Sequence, residues 1–261
     1  MAMNTNQKST LKKADQYNDV SHNYLNYWNH RNYEHQSEVL AIKKLLGNNH
    51  YKLAVDIGGG YGRLTVLLEN YADQVILAEP SSRQLEIADD FLKDHPGIVK
   101  KIMQADQLEF SNNSVDLITL IRVMHHLPDP MAELKEISRV LSPSGEAIIE
   151  MANYDHFLNR IKLFLKGKKL PIQPVDIRSE KNKTNDEIPF VNHNPRTVIS
   201  QLNSAGLTVV NQLSVSNLRN TILKKFIPVK ILLFFENIMQ QPLAKYFFGP
   251  SIFLLVTKKD N

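Results

Sequence analysis

Apolar and polar positions along this chain change rhythm several times, and each change marks an element. Leu53, Val55 and Ile57 recur every second residue, a period that predicts a strand packed in a sheet. Gln74–Ala78 predicts a second strand ending at Glu79, and Ile102 and Met103 close a third apolar run ahead of Asp106. Val115–Ile121 is almost unbroken apolar sequence, as expected of a strand covered on both faces. Leu141-Ser-Pro-Ser-Gly-Glu-Ala-Ile-Ile-Glu150 predicts a helix end, a turn and a fifth strand. Leu207–Leu213 alternates like a strand, and Ser251–Thr257 is a final apolar one. Tyr17, Tyr24, Tyr27, Trp28 and Tyr33 fall in one or two expected helices, followed by an amphipathic helix around Ser37–Leu46 that Gly47 stops. A further helix spans Pro195–Ala205 and ends at Gly206.

Strand and helix patterns alternate from Leu53 to Met151, which predicts an α/β fold: a Rossmann-like, doubly wound, mostly parallel sheet. The alternation then breaks, and the last two strands fit an antiparallel C-terminal hairpin, for seven strands in all. The expected organisation is a flexible tail (1–14), an N-terminal helical lid (15–50), a core (51–152) and a cap insertion (153–194). The C-terminal part of the core (195–261) follows, interrupted by a helical insertion at 214–250. The first insertion carries a basic, helix-like piece with Arg160, Lys162, Lys166, Lys168 and Lys169, then a polar run over 179–187. The second is rich in Ile, Leu and Phe with Arg219, Lys224, Lys225 and Lys230 interleaved. Two readings of it stand: a helical cap packed on the pocket, or a surface over 217–248 that makes peripheral contact with a membrane.

The densest chemical signal is Ala54–Leu64, Ala-Val-Asp-Ile-Gly-Gly-Gly-Tyr-Gly-Arg-Leu. A strand enters a turn with glycine at 58, 59, 60 and 62, and a helix expected from near Tyr61 points its free N–H groups at that turn. The dinucleotide pattern Gly-x-Gly-x-x-Gly fails here, because Arg63 or Thr65 occupies the third position in either register. The pattern present is Asp-x-Gly-x-Gly-x-Gly from Asp56 to Gly62. A carboxylate beside the turn suits a cofactor bearing an ammonium group better than a pyrophosphate, since like charges repel. Downstream, Glu79 ends the second strand, where an acidic side chain commonly grips ribose hydroxyls.

With Asp106 in Gln-Ala-Asp-Gln-Leu-Glu-Phe, the segment Arg122-Val-Met-His-His-Leu-Pro-Asp-Pro130 and the Ser-Pro-Ser-Gly turn, the chain resembles the class I S-adenosylmethionine-dependent methyltransferases. The resemblance is dense over Tyr51–Met151 and leans toward the branch acting on small-molecule and lipid-like acceptors. It implies S-adenosylmethionine as cofactor, S-adenosylhomocysteine as product, and the core 51–152 as the domain that binds them. It assigns cofactor binding to Asp56, the glycines at 58, 59, 60 and 62, Glu79 with Pro80, Asp106 with Gln107, and Arg122. The matching acidic residues take ribose (Glu79) and the adenine amino group (Asp106). In related enzymes an N-terminal aromatic segment closes over the cofactor, which brings Tyr17 and Arg31 toward its carboxylate end.

Composition narrows the setting. The 261 residues are 43% hydrophobic, enough for one large α/β domain with additions. With no cysteine, thiolate catalysis, cysteine-ligated zinc and pyrimidine methylation through a thiol adduct are excluded. The N-terminal 13 residues lack the apolar core of a signal peptide and no run is long enough to span a bilayer, so a cytoplasmic protein, peripheral at most, is expected. A formal charge of +4 is mild and does not indicate a nucleic-acid partner. No acidic and histidine cluster has metal-ligand spacing.

Methyl transfer is mostly alignment with water excluded. An oxygen acceptor needs its proton removed, and His125 and His126 stand at the mouth of the fourth strand as candidate bases. His156 and His193 are weaker candidates, and Asn192 and Arg196 serve either an acceptor or a helix cap. The Asp/Asn-Pro-Pro-aromatic signature of nucleobase-amine methylation is missing, as are the paired glutamates of a protein-arginine site. A nicotinamide oxidoreductase and a non-catalytic cofactor-binding regulator remain as alternatives.

Overall fold

In the computed structural model, which describes residues 17–18, 24–28, 30–184 and 188–259, five strands follow one another in parallel. They are β1 (Tyr51–Ile57), β2 (Ala72–Glu79), β3 (Ile98–Ile102), β4 (Val115–Leu120) and β5 (Leu141–Ala152). A small hairpin-like pair, β6 (Val175–Asp176) and β7 (Val191–Asn192), stands apart from them. β8 (Leu207–Val215) and β9 (Ser251–Lys258) complete the main sheet in antiparallel pairing, in the order β3-β2-β1-β4-β5-β9-β8. This is the seven-stranded, doubly wound sheet with an antiparallel end that the sequence predicts. The tail expected over 1–14 lies outside the described residues, as does the end of the polar run over 179–187.

The helices before β1 are α1 (Tyr24–Trp28) and α2 (Asn32–Leu46). α3 (Thr65–Leu68), α4 (Ser82–Phe91) and α5 (Met131–Val140) connect the parallel strands. The first insertion contains α6 (Phe157–Leu165) and α7 (Glu180–Thr184), α8 (Pro195–Ser204) precedes β8, and the second insertion contains α9 (Thr221–Phe226) and α10 (Val229–Ala244).

The pleat sorts side chains into two core layers. Along β9, Ile252, Leu254 and Val256 enter one layer with Leu134 and Ile137 of α5 and Val198 and Leu202 of α8. Phe253 and Leu255 enter the other with Ile42 and Leu45 of α2 and Leu77 of β2. Each such fully buried side chain contributes roughly 1.5–3 kcal/mol.

Four local expectations need correction. α3 starts at Thr65, not near Tyr61, because Gly60 and Gly62 hold φ of 61° and 92°, which a right-handed helix cannot include. A helix of four residues also has little dipole to aim at the turn. α2 starts five residues earlier than Ser37, since its first turn turns Tyr33 and Glu34 inward and polar inward residues hide an amphipathic pattern. β5 begins at Leu141, but its register on β4 jumps from Leu141 to Glu146 while β4 advances from Val115 to Leu117, so the expected turn is a wide bulge inside the strand. Finally, the second insertion does not cap the pocket; α10 packs on α2 and β8.

α10 is docked in an unusual way. Its buried ridge is Leu232, Glu236, Gln240 and Ala244, at the four-residue spacing of one helix face. Glu236 accepts hydrogen bonds from Tyr33 Oη (2.6 Å), Ser216 N (2.8 Å) and Asn217 N (3.0 Å), and Gln240 Nε2 donates to Ser37 O (2.9 Å). Among the described residues no helix is long and apolar enough to cross a membrane. Replacing Glu236 by Ala strands three donors in a buried site and should cost about 3 kcal/mol. The check is the midpoint of denaturant unfolding; a loss under about 1 kcal/mol would mean that this cluster does not anchor α10.

Candidate functional site

The carboxyl ends of β1, β2 and β4 surround a cavity of about 330 Å³, in the size range of cofactor sites. Asp56, the penultimate residue of β1, is buried and lines the floor. Its Oδ1 accepts from Thr119 Oγ1 of β4 (2.7 Å) and its Oδ2 from Thr65 Oγ1 of α3 (2.6 Å). Burial raises its carboxyl, and the two hydroxyls oppose that shift. The glycine loop folds tightly onto this carboxylate: a Cβ on Gly59 would lie 2.5 Å from Asp56 Oδ2 and 2.5 Å from Leu77. Gly60 differs. Its Cβ would meet nothing closer than 3.8 Å, so the left-handed turn at Gly60 bares backbone to the cavity.

Of the carboxylates at and beyond the strand ends, Glu79 is tied to that loop. Glu79 at the end of β2 accepts from Gly60 N and from Ser81 N, both at 2.9 Å. Asp106 lies on the exposed rim beyond β3. Glu133, in the first turn of α5, lines the same region; burial raises its carboxyl, with Asp106 and Asp129 adding to the rise. Its Oε2 is buried and has no hydrogen-bond partner.

The opposite end of the cavity is cationic. Arg63 and Arg122 both line it and both grip Glu38 of α2, Arg63 Nη2 at 2.7 Å and Arg122 Nε at 2.7 Å. Trp28 lies under the pair, with its ring 3.5 Å from the Arg63 guanidinium carbon and 4.8 Å from that of Arg122. Arg122 sits at φ 60°, a left-handed conformation that a bulky residue adopts only under constraint. Here the constraint is visible: its N–H donates to Glu150 (2.9 Å) while its side chain is held by Glu38.

The histidine pair divides. His126 lines the cavity, and its Nδ1 is 2.9 Å from Pro189 O, a carbonyl that can only accept. The proton therefore sits on Nδ1, which leaves Nε2 as the bare nitrogen, 2.7 Å from the Tyr17 hydroxyl. His125 is buried between His126 and Phe190, and burial together with the His126, Arg122 and His193 charges holds it well below the usual histidine range.

Of the residues singled out in the sequence, Tyr17, Asp56, Gly58, Gly59, Gly60, Glu79, Pro80, Asp106, Arg122 and His126 line this one cavity. Gly62, Gln107, Arg31 and His125 are not among its lining. Gly62 backs onto Leu92, and the Arg31 guanidinium lies 4.0 Å over the Tyr27 ring. Tyr17 stands at the Glu79 end, where Ser81 Oγ and Gln84 Nε2 donate to its carbonyl, and not at the cationic end. His193 is buried and donates through Nε2 to Met124 O, Asn192 lies in β7 while Asn194 and not Asn192 caps α8, and Arg196 pairs with Asp155; these are structural positions. Trp28, Arg63, Glu133 and the bridging Glu38 were missed. Only Arg63, next to the glycine loop, carried a sequence signal.

Residues 55–149 match the family described as "Methyltransferase domain". With the sheet order above, that match gives the chain a methyltransferase domain on the class I fold, whose cofactor is S-adenosylmethionine. The chain is 33% identical over 103 residues to a tRNA U34 carboxymethyltransferase of Aliarcobacter butzleri, covering 38% of this chain and 33% of that one. It is 29% identical over 161 residues to the ubiquinone/menaquinone biosynthesis C-methyltransferase UbiE of Shewanella frigidimarina, covering 58% and 60%. The chain thus spans between a third and three fifths of these curated relatives. A Thermotoga maritima S-adenosylmethionine-dependent methyltransferase, described as a possible histamine N-methyltransferase, superposes with a TM-score of 0.63 at 19% identity over 94% of this chain and 98% of that one. That likeness establishes the fold.

The cationic end gives a pH-dependent signature. Burial would raise Glu38, but Arg122 and Arg63 outweigh it and hold the carboxyl below its usual range. A depressed carboxyl stabilises the fold above its unfolded value near pH 4.3, and that contribution is lost as pH falls through the lower folded value. Glu38→Gln should therefore be less stable than wild type at neutral pH, with the gap closing below about pH 4. Denaturant unfolding across pH reads this directly, and a gap that persists unchanged into acid would contradict the bridge.

Proposed function

We propose that the protein transfers a methyl group from S-adenosylmethionine to a small-molecule or lipid-like acceptor. The observation that carries this reading is the convergence of the glycine loop, Glu79, Asp106 and the Arg63–Arg122 pair on one cavity inside the methyltransferase domain. The donor set fits the cofactor at each end. Glu79 would take the ribose hydroxyls, and Asp106 with the unpartnered Glu133 oxygen would take the adenine edge. Arg63 and Arg122 would face the carboxylate, and the bared backbone at Gly60 admits close approach. Asp56, with both oxygens engaged by hydroxyls, positions the loop. Tyr17 and Trp28, which line the cavity from the segment 15–50, support its role as a lid.

When bound, the cofactor supplies a methyl group already activated on a sulfonium. The protein's part is then to exclude water, align the acceptor and, for a hydroxyl acceptor, remove a proton. His126 is suited to that: its bare Nε2 faces the cavity and is met by the Tyr17 hydroxyl, whose place an acceptor hydroxyl would take. His125 is buried behind it and would keep its ring in place. A carbon acceptor is the second reading, favoured by the relatives named as C-methyltransferases. The matching family model is that of a methyltransferase domain, which speaks against a nicotinamide oxidoreductase.

Calorimetric titration with S-adenosylmethionine, S-adenosylhomocysteine and NADH tests the cofactor half. Binding of the two sulfur compounds and not NADH is expected, weakened at least tenfold by Asp106→Ala or Glu79→Ala; tight NADH binding would end the reading. With an acceptor in hand, His126→Ala should lower kcat about a hundredfold or more without altering S-adenosylhomocysteine affinity. Unchanged turnover after replacing both His125 and His126 would remove the base.

A further inference from the structure

The reading that 217–248 meets a membrane gains a second element, and on it we propose that α6 and α10 together form a docking surface for an anionic lipid bilayer. α10 buries the polar Glu236 and Gln240 between Leu232 and Ala244 and leaves its large apolar side chains outside. Ile231, Phe234, Phe235 and Ile238 are exposed, Phe234 by 62%, at the spacing of one helix face opposite the Glu236–Gln240 ridge. α6 has no buried residue at all. Phe157, Leu158, Ile161, Phe164 and Leu165 form its apolar stripe, with Phe164 exposed by 83%. A nine-residue helix with an apolar face and nothing buried contributes little to the core, so its sequence is not explained by folding.

The two helices are joined. The Phe157 ring stacks on Phe248 at 4.9 Å, Phe157 N donates to Phe248 O, and Arg160 Nη2 donates to Tyr246 O, which fixes the start of α6 beside the chain leaving α10.

Charge selects the occupant. From Ile188 to Lys259 the only acidic residue is Glu236, which is buried, whereas Arg219, Lys224, Lys225, Lys230 and Lys245 lie in or beside α9 and α10. Residues 156–175 also contain no acid and carry Arg160, Lys162, Lys166, Lys168 and Lys169. Lys224 is engaged by Glu34 and Arg160 by Asp155; Lys162, Lys166, Lys168, Lys169, Lys225, Lys230 and Lys245 have no acidic partner among the described residues. Apolar stripes flanked by lysines and free of carboxylates match the interface of a bilayer with anionic headgroups: rings and branched chains enter the acyl boundary, and ammonium groups stay at headgroup level.

The test is cosedimentation of the full chain with phosphatidylcholine vesicles, with and without phosphatidylglycerol. Binding to the anionic vesicles, weakened by high salt and at least tenfold stronger than to neutral ones, is expected. Phe164→Ser/Leu165→Ser in α6 and Phe234→Ser/Ile238→Ser in α10 should each lower partition about tenfold or more. None of these residues lines the cavity, so S-adenosylhomocysteine binding by each variant reports that the fold and cofactor site are intact. If only the α10 variant loses binding, the role of α6 is overturned while the earlier reading of 217–248 stands. If wild type binds neither vesicle, both fall. A concentration-dependent dimer in sedimentation velocity, abolished by the same substitutions and unaffected by vesicles, would assign the face to a second copy instead.

Discussion

The two hydroxyl-to-carboxylate hydrogen bonds at Asp56 are the constraint on which the rest of the site depends. Thr119 and Thr65 hold one oxygen each, so a single buried side chain ties β1 to β4 and to the start of α3. The glycine loop has little freedom once that carboxylate is fixed. Gly59 is pressed against it, and the turn at Gly60 must then present its N–H to Glu79. One acidic residue thereby fixes the glycine loop against β4 and α3, and with it the floor of the cavity. Such an arrangement is costly to desolvate and is worth having only if fully satisfied.

The cationic end is built on the same logic with opposite charge. Two guanidiniums beside each other would repel, and Glu38 between them, with Trp28 below, makes their proximity sustainable. Two arginines sharing one carboxylate still carry net positive charge, so an anionic group can be received there without either arginine moving far. The left-handed backbone at Arg122 belongs to this device, since it turns the side chain back toward α2 at the strand end where an extended residue would carry it away.

How much of this was legible in the sequence follows from what each part rests on. The strands were legible because the pleat imposes a period of two on residues such as those of β9, which feed alternate core layers. The glycine loop, Glu79 and Asp106 were legible because backbone conformation and charge at fixed strand ends require particular residue types. Trp28, Glu38 and Glu133 were not, because their roles come from tertiary proximity: Glu38 lies 84 residues from its partner Arg122. The start of α2 was missed for a related reason. Tyr33 and Glu34 point inward to meet Glu236 and Lys224, 203 and 190 residues away, and nothing local marks them as inward.

α10 carries that argument furthest. Read as a pattern, its Ile, Leu and Phe residues belong inside, and the expected cap over the pocket followed from that. The fold instead buries Glu236 and Gln240 and leaves the rings of Phe234 and Phe235 outside. Buried polar contacts of this kind give orientation where apolar burial gives only attraction: Glu236 meets Tyr33, Ser216 and Asn217 in one rotational setting of the helix, and a rotated helix would strand those donors. The polar ridge fixes which way the apolar face looks, and that face looks away from the sheet. The cofactor half and this outer face are therefore separate inventions of the sequence. The first is set by the strand ends of the sheet, and the second by the insertions that follow β5 and β8.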